Sequence, residues 1–219
     1  MEKIERIKCG NGNCYIVSNG ENAVLVDTHR PKYRDKILSA CKNYDIRLII
    51  LTHGHMDHVQ NAAYLSERLN APIAMNKNDE ELIRSNMTQG LEANTFLGKL
   101  VLALSIKGFE TDEIPYFTPD VFLNEGDTLD EYGISAKILS VPGHTDGSIA
   151  VDVAGKYLIV GDALMNMFYP TVSMLYHNKT VMLKSAERIG CLAGRTVFFG
   201  HGKPVRNRKW VKIKDYREV

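Results

Sequence analysis

Ile49-Ile50-Leu51-Thr52-His53-Gly54-His55-Met56-Asp57-His58 is an apolar strand that stops in a glycine-containing turn bearing three imidazoles and a carboxylate. Four metal-ligand side chains in six residues are dense for a chain with seven histidines. The same format recurs in Leu139-Ser140-Val141-Pro142-Gly143-His144-Thr145 and in Val197-Phe198-Phe199-Gly200-His201-Gly202. It recurs again, with a carboxylate, in Leu158-Ile159-Val160-Gly161-Asp162. Ligand sites of open α/β sheets lie at the carboxyl ends of strands, so these four ends are expected to meet at one sheet edge. Five imidazoles and two carboxylates are enough for two divalent ions, which a shared carboxylate holds about 3.5–4 Å apart. The candidate set holds no cysteine. That fits a catalytic site with open positions better than a closed, Cys-rich structural zinc site.

Outward from these motifs, Cys14 to Ser18 and Ala23 to Asp27 flank Asn19-Gly20 and predict a hairpin that opens the protein. Pro31 to Tyr44 carries apolar residues at helical spacing and leads into the buried strand Leu48 to Leu51. A second helix is expected from about His58 to Leu69, and a short one over Asp79 to Ser85. The α/β alternation breaks over 87–118, where Leu91, Phe96, Leu97, Leu100, Val101 and Leu104 predict one or two amphipathic helices. This stretch reads as an insertion, whose apolar stripe is a substrate lid, a dimer surface or simply packing on the domain. Strands follow at Val121 to Leu123, Ser135 to Val141, Ile149 to Val153 and Tyr157 to Val160. Asn178 then caps a helix from Lys179 to Ile189, and Thr196 to Phe199 is the last buried strand.

Composition bounds the rest. Twenty-seven Lys and Arg against twenty-six Asp and Glu leave a net charge of +1 over 219 residues, so no global field draws the chain to nucleic acid. Hydrophobic residues at 44% and charged residues at 24% are ordinary for a globular protein, and the length fits one domain over 1–219. No apolar run approaches the roughly 20 residues that span a bilayer, and the charged start Met1 to Arg6 lacks a secretory signal's apolar core. Cys9, Cys14, Cys41 and Cys191 form no CxxC pair. Together these features predict a cytoplasmic protein with reduced thiols and no membrane partner.

HxHxDH over His53, His55, Asp57 and His58, followed by His144, Asp162 and His201, resembles the metallo-β-lactamase superfamily. The similarity extends through Glu125-Gly126-Asp127-Thr128-Leu129, Pro142 to Ile149 and Gly200 to Pro204. It implies a four-layer αββα sandwich of the α/β class, with the 87–118 stretch as a helical insertion. It further implies that His53, His55 and His144 bind one metal, that Asp57, His58 and His201 bind a second, and that Asp162 bridges them. Asp27, at the end of Val24-Leu25-Val26, then stands as a buried partner of the site. The implied chemistry is hydrolysis by a metal-bridging hydroxide, with Asp57 as catalytic proton shuttle. The expected ions are zinc, with iron or manganese as alternatives.

Departures from the family pattern narrow the choice. His29 stands where Gly often follows Asp-Thr, and Val59-Gln60-Asn61 replaces small residues after HxHxDH. Asp162 in place of Cys argues against the main antibiotic-hydrolysing zinc enzymes, and His55 in place of Glu argues against flavodiiron reductases. The chain ends about where the core fold would, without the extra helical domain of typical hydroxyacylglutathione hydrolases. The favoured reading is hydrolysis of a small ester-like substrate, a thioester or a lactone. The rivals are a mononuclear iron persulfide dioxygenase, a phosphodiesterase and a catalytically idle metal-binding scaffold. The phosphodiesterase would use the basic run Lys203, Arg206, Arg208, Lys209, Lys212 and Lys214, with Trp210 among it. Met165, Met167, Phe168, Tyr169, Met174 and Leu175 are candidates for an apolar wall above the metals. Tyr169, Tyr176 and His177 are candidate substrate contacts, and His29 and His177 also read as plain loop residues.

Overall fold

The period-two alternation of the central strands sorts their side chains into separate apolar layers. In the computed structural model, which describes the chain apart from residues 87, 94, 112–113 and 213–219 and the side chains of 107–111, there are three such layers. Met87 and Lys214 of the sequence reading lie outside the described residues.

In chain order the elements are β1 (Lys3–Cys9), β2 (Gly12–Ser18), β3 (Asn22–Val26), α1 (Arg34–Cys41), β4 (Asp45–Ile50), α2 (Met56–Val59), α3 (Ala62–Leu69) and β5 (Ile73–Met75). A 3-10 turn at Lys77–Ile83 leads to α4 (Phe96–Thr111) and β6 (Val121–Phe122). The second half comprises β7 (Ala136–Ser140), β8 (Ile149–Val153), β9 (Tyr157–Ile159), β10 (Leu164–Met165), β11 (Thr171–Val172), α5 (Lys179–Cys191), β12 (Thr196–Phe198) and β13 (Val205–Arg206).

Strands β1 to β6 form one sheet in sequence order, and a second sheet runs β13-β12-β9-β8-β7. Ile16, Leu25, Ile49 and Leu51 of the first sheet bury against Ile37 of α1 and Leu65 of α3. Their alternates Tyr15, Val17, Val24 and Ile50 meet Ile138, Ile149, Val151 and Ile159 between the sheets. On the far side, Ala150, Leu158 and Val197 pack under Leu183, Ala186 and Ile189 of α5. The result is an αββα sandwich. A register shift between Ala23 and Val24 adds one residue to β4, which is why Ile46 and Ile49 face the same layer despite odd spacing.

Three expectations need correction. The β2–β3 hairpin forms in the expected register, but β1 precedes it and pairs antiparallel with β2, so the hairpin does not open the protein. Ile7 and Cys9 of β1 face the helix-covered layer and Ile4 the layer between the sheets, so the apolar residues keep no period among Lys3, Glu5, Arg6 and Lys8, and that scatter hides the strand in the sequence. The expected helix from His58 to Leu69 is two helices, because Asn61 turns its side chain back to donate to the carbonyls of Thr28 and Arg30. The expected Asp79 to Ser85 helix is the 3-10 turn at Lys77–Ile83. No helix among the described residues is long and apolar enough to cross a membrane.

Candidate metal centre

Strand β4 delivers Thr52, His53 and His55 to the sheet edge, and α2 starts at once, so Asp57 and His58 project from its single turn. His144 follows β7, Asp162 follows β9 and His201 follows β12. The four strand ends therefore meet, and His53, His55, His58, His144, Asp162 and His201 are all buried. Ligand atoms of His53, His55 and His144 lie within 4.8 Å of one another, as do those of Asp57, His58 and His201 and those of His53, His58 and Asp162. Asp162 sits between the sets, with Oδ1 3.7 Å from His58 Nε2 and Oδ2 3.4 Å from His201 Nε2 and 3.9 Å from His144 Nε2.

Most rings are fixed from behind. Nδ1 of His53 meets Thr52 Oγ1 at 3.1 Å, His144 Nδ1 donates to the Leu175 carbonyl at 2.9 Å, and His201 Nδ1 approaches the Asn11 carbonyl at 3.3 Å. His58 Nδ1 donates to Asp27 Oδ2 at 2.8 Å, and Thr52 donates to Oδ1 of the same carboxylate from its backbone N–H and its hydroxyl. Such outer partners set the tautomer and leave Nε2 as the inward lone pair. His55 is turned the other way, with Nδ1 3.0 Å from His144 Nε2. The inward atoms His53 Nε2, His58 Nε2 and Asp162 Oδ1 are buried with no hydrogen-bond partner. Buried polar atoms are almost always paired, so three orphans aimed at one point fit metal ligation.

Charge in the cluster is divided. Burial, reinforced by neighbouring imidazoles, holds His53 and His55 well below the usual histidine range, and burial also lowers His144. Burial opposes charge on His58 too, but the Asp27 and Asp162 carboxylates override it and push the ring up to about 10. His201 is raised likewise, by Asp162 and Asp57 against burial. Enclosure alone would raise the Asp57 carboxyl, yet its contact with His201 and the nearby rings hold it well below the usual carboxylate range. The half built on His53, His55 and His144 thus offers neutral ligands, while the half built on Asp57, His58 and His201 concentrates carboxylate charge for a cation.

Backbone shape contributes as well. Asp27 and His29 both have left-handed φ, 62° and 55°, a conformation rare for residues other than Gly and Asn and concentrated at functional sites. Through that bend Thr28 donates from both N–H and hydroxyl to the His58 carbonyl and pins α2 to the end of β3. At Gly200 a Cβ would collide with the Asp162 carboxylate and the His58 ring, so only glycine fits there.

Asp79 is the buried residue beside the cluster that motif reading missed. Fully buried, it accepts from the N–H groups of Gly54 at 2.9 Å and Gly147 at 2.7 Å, the Thr145 hydroxyl at 2.7 Å and the Gln89 amide at 3.1 Å. It clamps the His53-Gly54-His55 turn to the loop that carries His144. In the sequence it is one acid among Lys77-Asn78-Asp79-Glu80-Glu81, and nothing there distinguishes it from a solvated turn residue.

A cavity of about 270 Å³ opens over the cluster. Asp57, His55, His144, Asp162 and His201 form its floor, with Asn11 and Arg30 at one side. Leu97, Leu100, Val101 and Leu104 of α4 face it, with Leu91, Met165, Met167, Phe168 and Leu175 completing an apolar wall. Tyr169, Tyr176 and Met174 instead line a second cavity. His177 lines neither; its Nδ1 lies 2.9 Å from the Gly90 carbonyl. In the basic run, Trp210 is buried with its ring edge-on to Phe199, so it presents no stacking face to a nucleobase.

An αββα sandwich whose strand ends gather five histidines and two aspartates defines a metal-dependent hydrolase. The family model of the metallo-β-lactamase superfamily matches residues 7–201, and the chain belongs to that superfamily. An uncharacterized protein of Aquifex aeolicus is 28% identical over 178 residues, covering 81% of this chain and 77% of its own length. Hydroxyacylglutathione hydrolase GloC of Haemophilus influenzae is 29% identical over 158 residues, covering 69% of this chain and 66% of its own length. Among solved structures, TTHA1623 in a di-iron-bound form matches with a TM-score of 0.67 at 25% identity, covering 93% of this chain and 94% of that one.

Proposed function

We propose that this chain hydrolyses a small ester-like bond, a thioester or a lactone bearing an apolar acyl group, at a centre of two divalent ions. His53, His55 and His144 are assigned to one ion, Asp57, His58 and His201 to the other, and Asp162 to both. The observation that carries this reading is the chain of three overlapping ligand sets, in which the one holding His53, His58 and the buried Asp162 links the other two. Bound there, two ions supply Lewis-acid polarisation of a carbonyl and a water acidic enough to ionise near neutral pH.

The remaining steps belong to the protein. Asp57, partly exposed on the cavity floor, takes the proton of the attacking water and returns it to the leaving group. Asp27 and Thr52 keep His58 and His53 in one tautomer throughout. The apolar wall seats the acyl chain beside the cluster and displaces water from it. GloC's name, a hydroxyacylglutathione hydrolase, supports thioester chemistry. The wall supports an aliphatic acyl group over a polar one.

The test is elemental analysis of untagged protein, followed by turnover of thioesters and lactones of increasing acyl length. Near two zinc per chain and a rate that climbs with acyl length until the cavity is filled are expected. About one iron per chain, with oxygen uptake on glutathione persulfide, would replace this reading with the dioxygenase. The di-iron form of the TTHA1623 structure favours one variant, the same hydrolytic centre loaded with iron, and the same elemental analysis reads it.

A further inference from the structure

The second cavity, about 360 Å³, lies against β11, the first turn of α5 and the segment that follows β13, and shares no lining residue with the metal cavity. Its charged lining is Lys179, Arg208, Lys209 and Lys212, with no carboxylate among the described residues. Lys179 is the informative one. Its Nζ is buried and has no hydrogen-bond partner. It also stands at the first position of α5, just after the Asn178 cap, where the helix dipole disfavours a cation. A buried, unpaired ammonium at the wrong end of a helix is costly unless an anion meets it. Arg208 is held at the rim by its stack on Trp210, at 4.9 Å, and by a 3.0 Å bond to the Pro170 carbonyl. The rest of the pocket is mixed, with Val172, Met182 and Leu183 beside Thr171 and Ser173.

We infer that this cavity binds a small amphiphilic anion, with a carboxylate on Lys179 and Arg208 and a short apolar body over Val172, Met182 and Leu183. The occupant is a ligand other than the hydrolysed substrate, because the two cavities share no lining residue. Ser173 lines this cavity while its Oγ lies 3.3 Å from His144 Nδ1, so the two sites are neighbours through one residue.

Trp210 is the chain's single tryptophan and lines this cavity, so its fluorescence reports on ligand binding there. The experiment titrates metal-loaded protein with octanoate, 1-octanol and inorganic phosphate. A saturable change with octanoate, at least tenfold weaker in Lys179→Gln and in Arg208→Gln, is expected, with little response to either other probe. Circular dichroism checks that both variants fold. If octanoate binds both folded variants as it binds the wild type, the anion site is refuted. Octanol binding as tightly as octanoate would reduce the pocket to an apolar one, and phosphate binding as tightly would remove the apolar body. Either result overturns the inference. Loss of hydrolysis in the acyl panel would leave this titration unaffected, so the two proposals fail separately.

Discussion

Asp27 and His58 are joined by a 2.8 Å hydrogen bond across 31 residues of chain, and both side chains are buried. Both Asp27 oxygens are committed, since the Thr52 hydroxyl reaches each of them at 3.0 Å. Asp27→Asn therefore cannot satisfy every donor that now points at it. Facing the new amide N–H, His58 is driven to the tautomer with its proton on Nε2, the atom aimed at the cluster. Loss of such a partner lowers metal affinity by about 10–100-fold. Because the proposed assignment gives His58 to only one of the two ions, the expected outcome is one ion kept and one lost. Elemental analysis against competing chelator reads this directly, and retention of both ions would show that the Asp27 contact is merely structural.

Asp162 and His55 make a contrasting pair. Asp162 lies between the two ligand sets, whereas His55 belongs to one. Asp162→Ala is expected to empty both positions and abolish turnover, and His55→Ala to empty chiefly the position shared with His53 and His144. Neither side chain supports the sandwich core, so circular dichroism should match the wild type in both. Full activity in either variant would remove the ligand assignment.

How far the sequence reaches is shown by comparing His53 with Asp79. The gathering of His53, His55, Asp57, His58, His144, Asp162 and His201 is legible because their four motifs each begin at the end of an apolar strand, and strand ends in such a sheet lie together. The layer order is legible for the same reason, since Tyr15, Val17 and Ile16, Leu25 alternate toward different cores. Asp79 is not legible, because its four donors come from residues 54, 89, 145 and 147, and no local pattern encodes partners that only the fold assembles. Strand β1 is hidden because Ile4, Ile7 and Cys9 keep no period among Lys3, Glu5, Arg6 and Lys8, and the split between α2 and α3 by Asn61, whose partners lie in the distant loop after β3. Tyr169 and Tyr176 are close in sequence to Asp162 yet line the other cavity, since proximity along the chain does not fix the side to which a loop residue turns.

Asp79 gives a stability prediction. Asp79→Ala leaves the Gly54 and Gly147 N–H groups and the Thr145 hydroxyl without their acceptor in a closed space. At about 1–3 kcal/mol for each stranded group, with partial relief from relaxation, a loss of about 3 kcal/mol or more is expected. Asp79→Asn keeps one carbonyl oxygen and should fall between. Chemical denaturation of the metal-free protein measures both. If the clamp acts on the metal site as well, Asp79→Asn also weakens metal binding while every ligand remains in place.

His29 gives a pH prediction whose sign follows from burial. Its ring is enclosed, its Nδ1 accepts the Arg30 N–H at 2.7 Å, and burial pushes it down to about 3, against an opposing pull from Asp57. In the unfolded chain the ring takes its proton near pH 6.5, about the ordinary value. Between these two values the unfolded state binds one more proton than the folded state, so this contribution is fully present above pH 6.5 and is lost as pH falls toward 3. At pH 5 the loss is about 2 kcal/mol for this one ring. His29→Asn removes the titrating group while suiting the left-handed backbone at this position. Denaturation of both proteins at pH 7 and pH 5 should therefore show the wild type losing about 2 kcal/mol more than the variant over that interval, the other histidines being common to both. Parallel losses in the two proteins would mean that His29 gains its proton in the folded state as readily as in the unfolded one, and that its pocket beside Gly12 admits water.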